Sequence, residues 1–327
     1  MKTTAKAHAN IALVKYWGKR NPALNLPAVG SISMTLGALT TTTSLEFNDE
    51  FTVDRFILNS LPAGEKQTRR AGKFLDRFRE MAGVQTFAEI TSENNFPTGA
   101  GLASSASGFA ALAVAADRAL NLKLSPAALS RVARTGSGSA ARSIFGGFVE
   151  MHRGDKPDGS DAVAEQLFDA QYWPLEMLIL VTSEAEKSIG STEGMNLTAK
   201  TSPYFPAWVE SSVNDLAEMR DAIARRDFEK LGEIAEFSCF KMHGLAMSAN
   251  PALIYWNDTT VHLIAEVRRL RKRGTPAYVT IDAGPQVKVI CPPGESERLA
   301  AYFLDMAGVK QILQSKIGGD AAATSHC

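Results

Sequence analysis

In the first half of the chain, the pattern of apolar and polar positions reads as strands over Thr3–Leu13, Ser33–Phe47, Ala88–Ser92 and Ile144–Met151. Helical patterns fall at Gly64–Ala82, Ala103–Leu120 and Pro126–Arg134. A polar, acidic, glycine-containing stretch, Arg153–Asp161, reads as a surface loop. Trp173-Pro174 then precedes an apolar strand, Glu176–Thr182, which places a domain break between 1–174 and 175–327. The second half is richer in helix, over Pro206–Arg225, Asp227–Met242 and Thr259–Arg273. It also carries a hairpin, Ala277–Ile281 and Val287–Ile290, around Ala283-Gly284-Pro285. Helices beside antiparallel strands predict an α+β fold for both halves.

A length of 327 residues suits two domains of ordinary size, and 45% apolar with 21% charged residues is the composition of a soluble globular protein. Thirty-five basic and 35 acidic residues cancel, so no charge excess favours nucleic acid or a membrane surface as a partner. The basic run Arg268–Arg273 ends a predicted helix, where cations suit the dipole, and reads as a solvated face. No apolar window is long enough to span a membrane, and Met1–Ala5 leads into no secretory core, so the expected location is cytoplasmic. Cys239, Cys291 and Cys327 stand in no metal spacing, which predicts reduced thiols and no structural zinc. His8 and His243 read as packing or hydrogen-bonded residues.

The segment richest in candidate chemistry is Phe96-Pro97-Thr98-Gly99-Ala100-Gly101-Leu102-Ala103-Ser104-Ser105-Ala106-Ser107. It is a glycine turn and serine cluster feeding an alanine-rich helix. A helix start offers unpaired N–H groups and the positive end of the macrodipole, which suit a phosphate. Gly99 and Gly101 allow close approach to the main chain, and Ser104, Ser105 and Ser107 add hydroxyls. A plain turn with a serine N-cap is the alternative. No Walker-type P-loop occurs. Two near-matches to a dinucleotide fingerprint, at 99–104 and 136–141, lack the required strand–turn–helix context.

The segment resembles the phosphate loop of the GHMP small-molecule kinases. Three further strings narrow the resemblance: His8-Ala9-Asn10-Ile11-Ala12-Leu13-Val14-Lys15-Tyr16-Trp17-Gly18-Lys19-Arg20, the run Arg134–Gly147 containing Gly136-Ser137-Gly138-Ser139, and Ile281-Asp282-Ala283-Gly284-Pro285. In this order they look like the mevalonate diphosphate decarboxylases, over about Thr4 to Leu313. The resemblance implies an S5-domain-2-like N-terminal half and a ferredoxin-like C-terminal half with a cleft between. It also implies ATP and Mg2+ as cofactors, a small-molecule substrate and a homodimer.

Asp282 ends an apolar strand before a Gly-Pro turn, so its carboxylate is either held rigidly at a sheet edge or satisfies its own turn. The resemblance makes it the base that deprotonates the substrate's tertiary hydroxyl. Arg142 offers a planar fork for a carboxylate, and the resemblance assigns it the one lost as carbon dioxide, against the alternative of a surface ion pair. By the same resemblance Lys15 and Asn10 lie near the reacting centre, and Ser137 and Ser139 near the substrate. Tyr16 and Lys19 then meet the substrate's terminal phosphates, and Ser191 and Thr192 form a second phosphate-contacting loop. Ser105 is also a candidate metal contact, and Trp17 reads as core.

Three positions depart from the pattern: Val29 where asparagine is usual, Thr192 where some bacterial members carry arginine, and Gly244 where alanine is frequent. They bear on the phosphorylation state of the substrate. The expected reaction is ATP-dependent decarboxylation of 5-diphosphomevalonate to isopentenyl diphosphate. Its rivals are a decarboxylase of 5-phosphomevalonate, a kinase that stops at the 3-phosphate, and a silent binding protein of the same fold.

Overall fold

The computed structural model describes residues 2–97, 101–183, 185 and 189–324. The first strands are β1 (Lys2–Val14), β2 (Lys19–Asn21), β3 (Leu26–Pro27) and β4 (Ser31–Asn48). Next come β5 (Arg55–Leu58), β6 (Leu61–Pro62), α1 (Glu65–Ala82) and β7 (Phe87–Asn94). They are followed by α2 (Ser104–Ala119), α3 (Pro126–Gly136), a 3-10 helix (Gly138–Ile144), β8 (Phe148–Met151) and β9 (Ala164–Phe168). The second half holds β10 (Glu176–Val181), α4 (Ser191–Thr201), α5 (Phe205–Arg225), α6 (Phe228–Met247) and α7 (Asp258–Lys272). The chain ends with β11 (Tyr278–Thr280), β12 (Val287–Cys291), α8 (Ser296–Leu304), β13 (Gln311–Lys316) and β14 (Ala322–Thr324).

The larger sheet runs β14-β1-β4-β7-β5-β6, with β8 and β9 added on β4; β5 and β7 are parallel and the other pairs antiparallel. The second sheet, β11-β12-β10-β13, is antiparallel throughout. Helix α2 packs on β1 and β4 through Ala106, Ala110, Ala113 and other buried alanines, whose small side chains let the backbones approach closely. Helices α7 and α8 cover the second sheet around Leu263, Val267, Val289 and Phe303.

A third core joins the two halves. Ile11, Met34, Met177, Ile179, Met219 and Ile234, from β1, β4, β10, α5 and α6, form one buried cluster. The expected break at residue 174 falls just before β10, yet the chain recrosses it at the end: Thr324 of β14 pairs with Thr4 of β1. Burying a large aliphatic side chain contributes roughly 1.5–3 kcal/mol. A shared cluster of this kind therefore fixes the halves against each other, and the cleft between them keeps its shape.

Several elements differ from the pattern-based reading. The strand expected from Ile144 begins only at Phe148, because residues 138–144 coil into the 3-10 helix. The Asn10 amide holds that coil by donating to the Ser139 carbonyl and the Ser143 hydroxyl, contacts 129 and 133 residues away in sequence. Helices α4 and α8 and the last two strands gave no usable periodicity. The basic run at the end of α7 is only partly solvated. Arg268 and Arg271 clamp Glu236 of α6, which is 5% exposed and needs paired charge at that depth.

Candidate active site

The segment after β1 carries Lys15, Tyr16 and Lys19 into the cleft on a rigid footing. The Trp17 indole donates to Thr198 of α4 at 2.8 Å, and the Trp208 indole of α5 donates to the Trp17 carbonyl at 3.0 Å. Trp17 is 1% exposed, as core. The tight turn between β11 and β12 presents Asp282 opposite. Lys15 Nζ lies 2.7 Å from Asp282 Oδ1, and the lysine is 1% exposed against 24% for the aspartate side chain.

Burial alone raises the Asp282 pKa, but Lys15, Lys288 and Arg142 outweigh it and hold the carboxyl below its ordinary value. The group is therefore an ionised acceptor. Behind it, the carbonyl of Ile281 takes Cys239 Sγ and His243 Nε2. Burial, aided by Lys15, lowers His243 to about 3, so this ring is neutral and structural. Cys239 is pushed up to about 11, chiefly by burial, and remains a thiol.

Arg142 sits on the 3-10 helix and is 2% exposed. Its Nε and Nη2 donate to Asn10 Oδ1 at 3.2 and 3.1 Å, and Nη1 donates to the Ser31 hydroxyl at 2.5 Å. No carboxylate pairs with it among the described residues, so the surface ion-pair reading does not apply. Burial lowers its pKa to about 10, with Asp282 and Tyr16 opposing. A buried guanidinium held by neutral oxygens keeps an attraction for an incoming anion.

Helix α2 opens on the same cleft. Ala103 occupies the N-cap with φ 58°, and no side chain caps the helix. The serine N-cap alternative is therefore not what the chain adopts. Gly101, at φ +80°, packs so close to the Asp282 turn that a Cβ would meet Gly284 Cα at 3.2 Å. The Ser105 and Ser137 hydroxyls are 3.3 Å apart, and so are those of Ser137 and Ser139. Gly138 is required by packing, since a Cβ there would reach the Tyr16 hydroxyl at 2.3 Å. That phenol is buried without a hydrogen-bond partner among the described residues, and burial raises it to about 12.

At the mouth, Lys19 Nζ donates to Asn25 Oδ1 at 2.6 Å and approaches the Thr192 hydroxyl at 3.4 Å. Burial, then the nearby Arg70, lowers Lys19 to about 8. Ser191 and Thr192 open α4 behind Gly190, again with no side-chain cap.

One cavity of about 1200 Å³ brings these groups together: Asn10, Lys15, Tyr16, Lys19, Gly101, Ser104, Ser105, Ser137, Ser139, Arg142, Ser191, Thr192 and Asp282 all line it. Ser107 does not. It is fully buried, with its hydroxyl 2.6 Å from that of Thr41, because it lies on the core face of α2. Gly99 lies outside the described residues. Val29 is 2% exposed in a cluster with Trp17 and Met195 and is not on the cleft wall.

Sequence reasoning missed a basic face. Lys66, Arg69, Arg70, Lys73 and Arg77 of α1 also line the cavity. Their spacing of three or four residues on a predicted helix was the available signal. It also missed Lys288, whose place behind Asp282 follows from a β-ladder register.

A cleft between two joined α+β halves, with an uncapped helix start turned toward a lysine-held aspartate, defines the GHMP-kinase fold. Within that class, residues 7–164 match the diphosphomevalonate decarboxylase-like N-terminal domain, and residues 177–325 the mevalonate 5-diphosphate decarboxylase C-terminal domain. The diphosphomevalonate decarboxylase of Aspergillus fumigatus is 38% identical over 94% of this chain and 81% of that protein. A solved structure described as MDDEF in complex with MVAPP, AMPPCP and magnesium is 40% identical, with a TM-score of 0.93 over 100% of this chain and 99% of that one. Mevalonate diphosphate decarboxylase from Staphylococcus aureus is 39% identical, with a TM-score of 0.94 over 99% and 98%. The chain belongs to the diphosphomevalonate decarboxylase family.

Proposed function

We propose that this protein decarboxylates (R)-5-diphosphomevalonate at the expense of ATP, giving isopentenyl diphosphate, ADP, phosphate and carbon dioxide. The observation that carries the reading is the ionised Asp282, held by Lys15 in the cleft that the uncapped α2 start also lines. A tertiary hydroxide is a poor leaving group, so the 3-hydroxyl is phosphorylated first, with Asp282 accepting its proton. The α2 N–H groups with Ser104 and Ser105 stabilise the transferring phosphoryl, since such transfer rests on positioning and electrostatics. Arg142, fixed by Asn10 and Ser31, grips the substrate carboxylate. The 3-phosphate then leaves with both electrons of its C–O bond, and the carboxylate's C–C bond supplies the alkene pair as carbon dioxide departs.

No cluster of three or more His, Cys, Asp or Glu residues is placed to hold a metal among the described residues. The Ser105, Ser137 and Ser139 hydroxyls are hard oxygens, which suit Mg2+ carried on nucleotide phosphates. There it would neutralise phosphate charge, with Ser105 as the candidate protein contact. Lys19 and the α1 cations support a diphosphate over a monophosphate, because they supply more positive charge than one phosphate needs, with the neutral Tyr16 and Thr192 hydroxyls as further hydrogen-bond donors. The burial of Val29 away from the cleft removes one argument for the monophosphate.

We also propose a cytoplasmic homodimer. Cys239 and Cys291 are free and buried, which suits a reducing compartment, and no helix of the described residues is long and apolar enough to cross a membrane. Light scattering tests the dimer.

The deciding experiment measures ADP and carbon dioxide release with mevalonate, its 5-phosphate and its 5-diphosphate. Equimolar release with the diphosphate is expected. ADP without carbon dioxide would mean a 3-kinase, preference for the 5-phosphate a shifted specificity, and no turnover a binding protein.

A further inference from the structure

Lys288 lies on β12, opposite Thr280 of β11 and Ile179 of β10, in the middle of the second sheet's ladder. It is fully buried. A lysine at such depth needs compensation for its lost hydration. Among the described residues, the Gly101 carbonyl and the Asp282 carboxylate supply it. Nζ donates to the Gly101 carbonyl at 3.1 Å and lies 4.0 Å from Asp282 Oδ2. The other carboxylate oxygen, Oδ1, is the one bonded to Lys15. The two lysines therefore address different oxygens of one carboxylate from different elements. Gly101 closes the turn into α2 and packs against Gly284 of the Asp282 turn, so the phosphate-binding loop and the aspartate turn already touch.

We propose that Lys288 is a positioning residue for phosphoryl transfer: it ties the glycine turn before α2 to the Asp282 carboxylate, so that nucleotide phosphates and base are held as one unit. This rests on the functional reading above. Lys288 has no place on the cavity wall, so it acts through Gly101 and Asp282. Lys15 cannot replace it, because Lys15 is bonded to Oδ1 and reaches the site from the end of β1.

Among the described residues, the charged and titratable groups facing Asp282 are Lys15, Lys288, Arg142, and Cys239 and His243 of α6. Cys239 and His243 are neutral, so among the described residues it is the three cations that hold the carboxylate ionised. Removing one of them raises the pH at which it protonates.

Two variants separate the tie from the charge. Lys288→Met removes both. Lys288→Gln keeps an amide N–H for the Gly101 carbonyl but has no charge. Wild-type ADP and carbon dioxide release is measured first with 5-diphosphomevalonate. A silent wild type would sink the functional reading itself, whereas an active wild type isolates the Lys288 question. In both variants the acid limb of kcat/KM should move up by about one pH unit. KM for ATP should rise about tenfold in Lys288→Met and much less in Lys288→Gln, with KM for the diphosphate substrate nearly unchanged in both. An unmoved acid limb and unmoved ATP KM would overturn the proposal. So would variants that lose only thermal stability or fail to fold, because Lys288 would then serve the fold alone.

Discussion

The two ends of the cleft are built on opposite principles. At the inner end, Asp282, Lys15, Lys288 and Arg142 are enclosed and wired to one another or to Asn10 and Ser31, so their geometry exists before any ligand arrives. At the mouth, Lys19 and the α1 cations Lys66, Arg70, Lys73 and Arg77 have no carboxylate partner within ion-pair distance among the described residues. Lys66, Lys73 and Arg77 are exposed, Arg70 donates to the Gly136 carbonyl at 2.6 Å, and Lys19 touches only neutral oxygens among the described residues. The difference separates chemistry from recognition. Proton removal needs a fixed donor–acceptor distance, whereas capture of a flexible anion needs charge and little else. Substitutions at Asp282 and Arg142 should therefore lower kcat, and substitutions at the mouth should raise KM for the diphosphate substrate.

Asp282→Asn tests that division most severely. It keeps shape but removes the base, and ADP release should fall by about 10²–10⁴ while calorimetry still detects ATP and substrate binding. Retained phosphoryl transfer with lost decarboxylation would reassign the role of Asp282. Ser105→Ala should follow, with a fall in kcat on the order of 10² and an unchanged melting temperature. Wild-type turnover in that variant would make the α2 start an ordinary helix terminus.

Arg142→Lys keeps the charge but breaks the fork to Asn10, and should lower turnover by about one to two decades. Unchanged substrate affinity by calorimetry, together with unchanged turnover, would reduce Arg142 to a support for Asn10. At the mouth, Lys19→Met should raise KM for the diphosphate by about tenfold and leave kcat nearly intact. A large kcat loss there would erase the contrast between the two ends.

The smallest effect is a pH dependence. Lys19 carries its charge below about 8 and loses it above, because burial and Arg70 lower its pKa. KM for the diphosphate should therefore rise as pH passes through that value, and bound phosphates should oppose the loss of the proton. Lys19→Met should abolish this rise, and steady-state kinetics across the range would show it.

The long elements were legible because their signals are local. Alternating and 3.6-residue patterns gave β1, β4, α1, α2 and α5 within a few residues. The residues that carry the family resemblance lie in short strings beside strand ends and glycine turns, where local chemistry also speaks. Helices α4 and α8 were missed because each is short and only partly buried, so neither shows a full apolar stripe. The expected strand at Ile144 failed for another reason: Asn10 of β1 pins residues 138–144 in a coil through Ser139, Arg142 and Ser143, a contact that no local pattern reports.

The sequence by itself determined the α+β class, the serine-rich helix start, and Asp282, Arg142 and Lys15 as the residues to examine. Only the tertiary structure decided that Lys15 meets Asp282 across 267 positions and that Lys288 stands behind the same carboxylate. It also turned Ser107 into the core and the α1 cations into the cleft. Backbone periodicity reports which face of an element is buried but not what that face is buried against. The protonation and reach of each site residue depend on neighbours that arrive from distant strands, through desolvation and Coulomb interactions that act across space.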